Sequence, residues 1–246
     1  MTIAPTVPAS DADIADQPAW NEPDGLNPRG TVIVIAGRGE SPRVYQRFGR
    51  RISADAWRVR VVADANEDVA AARGRVRALL SDHGLPAPHI LVGSDVGAAL
   101  ALQLANEIPD SLAGVVLAGL PTSSAHHASG EEQALRSACP VHRRTLDDES
   151  LITPGALDLA VPEELLDLDP TGIAIPALVL HGEADPVVAL DDAIAAARAI
   201  PGAEVVSVAG GLHDILNDLS HRSVAATIVL FLERLKAGTR IVRPVD

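Results

Sequence analysis

Three residues in this chain have the chemistry and the surroundings for a covalent reaction: Asp95, Asp185 and His213. A carboxylate is nucleophilic without help from a base. On an sp3 carbon it displaces a leaving group or opens a strained ring, and the product is an ester. A histidine oriented by a second carboxylate then activates water against that ester. Attack by a carboxylate on an ordinary ester would instead give an anhydride, so an aspartate nucleophile counts against simple esterase chemistry. Asp95 also has a plainer reading, as a cap of the helix that follows it.

The chemistry requires position. Asp95 lies in Ile90-Leu91-Val92-Gly93-Ser94-Asp95-Val96-Gly97-Ala98, an apolar run that enters a tight turn and leaves as an alanine- and leucine-rich helix. In a strand–turn–helix elbow of this kind the two backbones approach closely, so the residues two before and two after the central one must be small. Centred on Asp95 those positions are Gly93 and Gly97; centred on Ser94 they are Val92 and Val96, both β-branched. The turn therefore fits Asp95. Ser94, one position earlier and facing away from the reacting atoms, and Glu40 of an earlier loop are the candidates for substrate binding.

The elements that must hold these residues are legible as apolar, β-branched runs at 31–36, 58–63, 89–92, 112–118, 176–180 and 204–208, each typical of a buried parallel strand. Helical spacing falls between them at 44–54, 66–83, 96–107, 191–200 and 221–236, with Val69, Val76, Leu79 and Leu80 on the inner face of the second. Strands alternating with helices imply right-handed crossovers and a sheet covered on both faces. The fold class is α/β, with a mostly parallel, doubly wound sheet. Such sheets bind ligands at the carboxyl ends of their strands. Those ends carry Gly37-Arg38-Gly39-Glu40, then Asp95, then His181-Gly182-Glu183-Ala184-Asp185-Pro186, then Gly210-Gly211-Leu212-His213-Asp214. Nucleophile, acid and base thus follow one another in that order at three strand ends. Glu183, Asp191 and Asp192 are rivals for the acid, but only Asp185 has the right place in its loop.

With these motifs the chain resembles an α/β-hydrolase-fold protein over nearly all of residues 30–236. Gly37-Arg38-Gly39-Glu40 with Tyr45 resembles the His-Gly-x-Gly-Glu opening of the lysophospholipase and monoglyceride-lipase-like branch. His181-Gly182-x-x-Asp185-Pro186 and Gly211-x-His213-Asp214 resemble the acid and base motifs of the fold. Three departures stand out. Ala36 replaces the usual His, Asp95 replaces Ser, and Asp64-Ala65-Asn66-Glu67-Asp68 stands where Asp-x-x-Gly-His-Gly is expected. Aspartate at the elbow is similar to epoxide hydrolases and haloalkane dehalogenases. That resemblance implies an oxyanion hole from the backbone N–H groups of Val96, Gly37 and Arg38, a short helical cap at about 121–175, and no cofactor. The chain lacks the ring-opening tyrosines of an epoxide-hydrolase cap, and Val96 stands where the dehalogenases place Trp. A lipase-like carboxylesterase, a lyase or isomerase using Asp95 as base, and a ligand-binding pseudoenzyme remain as alternatives.

Composition narrows the partners. The chain has 246 residues and a formal net charge of −13, which argues against nucleic acid and anionic membrane and leaves a small-molecule substrate. Aromatic residues are only 2% of the chain, so Ala, Val, Leu and Ile must build the core. The single cysteine, Cys139, excludes an internal disulfide and reads as buried packing. The first 27 residues lack a basic start and an apolar centre, so a cytoplasmic protein is expected. Residues 1–28 read as a flexible tail, with Trp20 the exception, either a pin to the body or part of an irregular first strand. Residues 29–246 read as one domain, its oligomeric state open with a homodimer as one candidate. No His, Cys and carboxylate set has metal-ligand spacing. His126-His127 and His142-Arg143-Arg144 read as solvated cap surface, and Asp214 as the cap of the turn after His213.

Overall fold

Why the runs become a single sheet is visible in their alternation. The computed structural model describes residues 18–122 and 130–242. Its strands are β1 (Ala19–Trp20), β2 (Gly30–Ile35), β3 (Trp57–Val62), β4 (His89–Ser94), β5 (Gly114–Ala118), β6 (Ala177–Gly182) and β7 (Glu204–Val208). They form a seven-stranded sheet in the order β1-β3-β2-β4-β5-β6-β7. Every pairing is parallel except that of β1 with β3. The longer helices are α1 (Gln46–Ala54), α2 (Val69–Ser81), α3 (Val96–Glu107), α7 (Leu190–Arg198) and α8 (His221–Ala237).

Successive side chains of a strand face opposite sides, and this divides the core in two. Ile33, Ile35, Leu91, Val115 and Val179 pack with α2, α3 and α7. Val32, Val34, Val92, Val116 and Leu178 pack with α1 and α8. Both faces of the central strands are covered, as continuous apolar runs require. The polar side chain fully buried at the start of β2, Thr31, gives its hydroxyl to the carbonyl of Pro86.

The expected tail runs too far along the sequence. Residues 1–17 lie outside the described residues, but Ala19 and Trp20 pair with Arg60 and Val59 on the sheet edge. Trp20 lies over Gly49 of α1, where a Cβ would come within 2.3 Å of its ring. Glu22 adds an ion pair to Arg58 at 2.7 Å. A short apolar anchor followed by polar residues carries almost no periodicity, which is why composition alone reads it as tail.

Between β5 and β6 the described residues form three short helices, α4 (Glu132–Arg136), α5 (Pro140–Leu146) and α6 (Glu163–Leu166), with 3-10 turns at Ala156–Asp158 and Pro170–Gly172. The insertion is stitched to the loop after β2. Glu40 bridges to Ile152, and the Thr153 amide donates to the Gly39 carbonyl at 2.8 Å. His126 and His127 lie outside the described residues. Among those described, no helix is long and apolar enough to cross a membrane.

Candidate active site

Asp95 occupies the turn between β4 and α3 with φ 49° and ψ −122°. A non-glycine residue held there costs about 1–3 kcal/mol, and such strain persists only where the surroundings over-determine it. Here they do. The Asp95 amide donates to the Ala118 carbonyl at 2.9 Å. A Cβ on Gly93 would lie 2.2 Å from the Gly97 carbonyl, and one on Gly97 would lie 2.2 Å from that of Ile35. Glycine at both places is what lets strand and helix close on the turn. The Asp95 side chain makes no cap bond with α3, so the plainer reading of Asp95 fails on geometry.

The carboxylate faces His213, whose Nε2 is 3.5 Å from Asp95 Oδ1. That distance is too long for a good hydrogen bond, and Nε2 is a buried atom without a partner among the described residues. The other ring nitrogen, Nδ1, is 2.9 Å from Asp185 Oδ2. Asp185 is itself fixed by the amides of Val187 and Val188, which donate to Oδ1 at 2.8 and 3.2 Å. Its rivals are elsewhere. Glu183 is exposed and accepts from Ser207, and Asp191 and Asp192 lie in the first turn of α7.

Arg38, chosen in sequence for its backbone, contributes far more through its side chain. Nε donates to Asp95 Oδ2 at 2.7 Å and Nη2 to Oδ1 at 3.1 Å, a two-pronged ion pair that is only 2% exposed on each side. Nη1 reaches the carbonyls of Leu157 and Leu159 in the insertion at 3.2 and 3.0 Å. Burial alone would raise the Asp95 pKa, but Arg38 and His213 together hold it well below the usual carboxylate range. Burial would likewise lower that of His213, yet the Asp185 and Asp95 carboxylates push it up to about 10. The resting centre is therefore two anions and two cations, sealed from solvent.

The expected oxyanion hole is only partly available. The Gly37 amide is turned to Glu40 Oε2 and the Tyr45 hydroxyl, each at 3.0 Å, and so does not face Asp95. The Arg38 amide donates to Asp95 Oδ2 at 3.1 Å and is thus occupied by the Asp95 carboxylate itself. Val96 opens α3, where the first N–H groups have no intrahelical acceptor. Asp64, in the place of the missing Asp-x-x-Gly-His-Gly stretch, accepts from the Gly39 amide at 2.7 Å and steadies the same loop; burial raises its pKa to about 6.

Neither expected substrate contact faces the reacting atoms. Ser94 is buried, with Tyr45 as a neighbour. Glu40 accepts from Tyr45 at 2.5 Å, and burial followed by the nearby Asp214 carboxylate raises its pKa to about 8. Behind them lies an ion network. Arg136, 1% exposed, donates to the Arg38 carbonyl at 2.6 Å and approaches Asp214 Oδ1 at 3.4 Å. Asp214 Oδ2 meets His142 Nε2 at 2.9 Å. His142 is thus buried and not solvated cap surface, and Asp214 is an ion-pair partner and not a cap. Arg136 already stands as the counter-ion of this acidic group. Cys139 is buried, with Arg47 Nη1 3.3 Å from its sulfur.

The comparisons agree with this architecture. The family described as TAP-like protein matches residues 160–240, the third of the chain that carries Asp185 and His213. No curated protein matches the chain in sequence. Among solved structures, the monoacylglycerol lipase of Paleococcus ferrophilus superposes with a TM-score of 0.71 at 16% identity, covering 91% of this chain and 98% of that one. A soluble variant of the monoglyceride lipase of Saccharomyces cerevisiae gives 0.70 at 14%, covering 89% and 91%. The enol-lactonase of Burkholderia xenovorans LB400 gives 0.64 at 18%, covering 88% and 95%. Sheet order, strained elbow and these superpositions lead to one architecture, and the chain has the α/β-hydrolase fold.

Proposed function

We propose that this protein is a hydrolase of a small organic electrophile, with Asp95 as nucleophile, His213 as base and Asp185 as the acid that orients it, without a cofactor. The observation that carries the reading is the elbow itself. Asp95 takes the strained turn with its carboxylate toward His213, while Ser94 is buried beside Tyr45. Attack at an sp3 carbon of a halide or epoxide forms an ester on Asp95. Ester formation removes one of the two carboxylates that keep His213 protonated, so the imidazole more readily takes the neutral form that can accept a proton from water. Water activated by His213 then attacks the ester carbonyl. The lipases and the lactonase above carry names for acyl chemistry, which an aspartate at the elbow serves poorly.

The test separates the two halves. With an alkyl halide, His213→Ala is expected to react once and stall as a covalent adduct on Asp95, visible in the intact mass. Asp95→Ala is expected to form none. In wild-type protein, a single turnover in heavy-oxygen water should leave label in the Asp95 carboxylate. Label in product alone would make Asp95 a general base. The Arg38 ion pair and the sealed centre favour a second reading, a ligand-binding or lyase member of the fold. Absence of any adduct in His213→Ala with all electrophiles would select it.

A further inference from the structure

We propose that His213 acts twice, first as the acid that protonates the oxygen of a strained ring and then as the base of hydrolysis, which makes an epoxide the substrate class. This rests on Asp95 as the nucleophile. Both ring nitrogens of His213 face carboxylate oxygens, Asp185 at 2.9 Å and Asp95 at 3.5 Å. Two ionised carboxylates beside the ring favour the imidazolium, which carries a proton on each nitrogen. The Nδ1 proton is held by Asp185. The Nε2 proton has no hydrogen-bond partner among the described residues, and Nε2 faces Asp95 Oδ1. The groups facing the ring are Asp95 of the elbow, Asp185 and His181 at the end of β6, and Asp214 beside it in the chain, with Arg38 beyond Asp95. The only tyrosine, Tyr45, is buried and gives its hydroxyl proton to Glu40, so it does not compete as the acid.

The proton inventory closes for an epoxide. An Asp95 oxygen bonds to the ring carbon, the carbon–oxygen bond breaks, and its electron pair goes to the ring oxygen, which takes the Nε2 proton. Asp95 is now a neutral ester and His213 a neutral imidazole, ready to act as base. Water adds to the ester carbonyl and gives one proton to Nε2. The tetrahedral centre collapses to the Asp95 carboxylate, and the departing alkoxide keeps the second proton of that water. The sum is epoxide plus water to vicinal diol, with the resting ion pairs restored. A halide makes no such use of the proton. It leaves as an anion, and His213 must then lose its proton from a buried site before it can serve as base.

First-turnover labelling with 1,2-epoxybutane and 1-bromobutane, read by intact mass and located by peptide mapping, distinguishes this proposal from the reading beneath it. His213→Ala should still label Asp95 with bromobutane, and that rate is the reference for what loss of the imidazole does apart from proton donation. With epoxybutane it should slow by 10²-fold or more, the usual worth of a general acid. Should the variant fail to fold, wild-type protein decides. Its rate of epoxide opening should fall tenfold per pH unit above about 10, where His213 loses its proton, while bromobutane labelling does not fall. Epoxide labelling by His213→Ala at the wild-type rate, or a flat wild-type profile, overturns the proposal. If bromobutane labels Asp95 in His213→Ala while wild type forms no diol from epoxybutane and takes no heavy oxygen into Asp95 with it, the epoxide class falls and the nucleophile stands. If bromobutane does not label Asp95 in His213→Ala, and wild type takes heavy oxygen into Asp95 with neither probe, both fall together.

Discussion

Asp185 and Glu40 are both buried carboxyl groups within reach of the same centre, and their surroundings drive them in opposite directions. Asp185 has the His213 cation and two amides to hold its charge, so its pKa lies below the usual range despite burial. Asp185→Asn should keep the fold, because the amide oxygen still accepts from Val187. It should cut turnover by about 10⁴-fold, the loss that the same change causes in a Ser-His-Asp triad through the wrong imidazole tautomer. Undiminished turnover would assign the orienting role elsewhere. Glu40 faces Asp214 in the interior and holds its proton up to about pH 8, against 4.5 when unburied. A carboxyl raised on folding contributes stability that is complete below its unfolded value and is lost as pH rises through its folded value. The stability of wild type relative to Glu40→Gln should therefore fall between pH 4.5 and 8 by roughly 2 kcal/mol or more, measured by denaturant unfolding at each pH. A pH-independent difference would mean that Glu40 is ionised throughout. Asp95, Asp185 and His213 were legible in sequence because each closely follows a strand end. Arg136 was not, since its acceptor on Arg38 is 98 residues away and no local pattern marks the pair.

At the scale of elements, two glycines in helical context should respond in opposite ways. Gly97 sits in the first turn of α3, where a Cβ would lie 2.2 Å from the carbonyl of Ile35 and 2.7 Å from that of Ala36. Backbone atoms of a central strand cannot move aside cheaply, so Gly97→Ala should destabilise by about 3 kcal/mol and displace Asp95 with it. Gly74 lies mid-helix in α2, with nothing within 4 Å of the place an added methyl would take. Gly74→Ala should stabilise by about 0.5–1 kcal/mol, the cost of glycine's backbone freedom inside a helix. Thermal unfolding of the two variants checks both signs, and a neutral Gly97→Ala would undo the close-approach account of the elbow. The same glycines explain why the sheet and its elbow were readable beforehand: steric need at a fixed spacing leaves a mark in sequence. Boundaries were less so. α2 starts at Val69 and not at 66, because Asp68 caps it by accepting from the Ala71 amide at 2.8 Å. The insertion gave little warning of its packing, as helices of four to seven residues show no usable period.

For the proposed reaction, substrate must first reach a buried centre. Asp95, Arg38 and His213 are each 2% exposed. Arg38 joins the two bodies that would have to part, holding Asp95 on the sheet through Nε and Nη2 and the insertion carbonyls of Leu157 and Leu159 through Nη1. The seam is completed by backbone bonds from Thr153 to Gly39 at 2.8 Å and from Ser41 to Leu151 at 2.8 Å. Substrate arrival thus requires those bonds to break together, as a local opening of lower free energy than global unfolding. The rate of first labelling of Asp95 should then saturate with probe concentration at a limit set by opening and not by chemistry. Two halides of different leaving-group reactivity should share that limit, and the Thr153 and Ser41 amides should exchange hydrogen no more slowly than it. Arg38→Gln should raise the limit, because it removes the two-pronged bond to the nucleophile. The same change should lower stability by about 3–5 kcal/mol, since Asp95 is left buried without its counter-ion. Labelling that stays linear in probe concentration while outrunning exchange of the Thr153 amide would show that substrate reaches Asp95 without parting the insertion from the sheet.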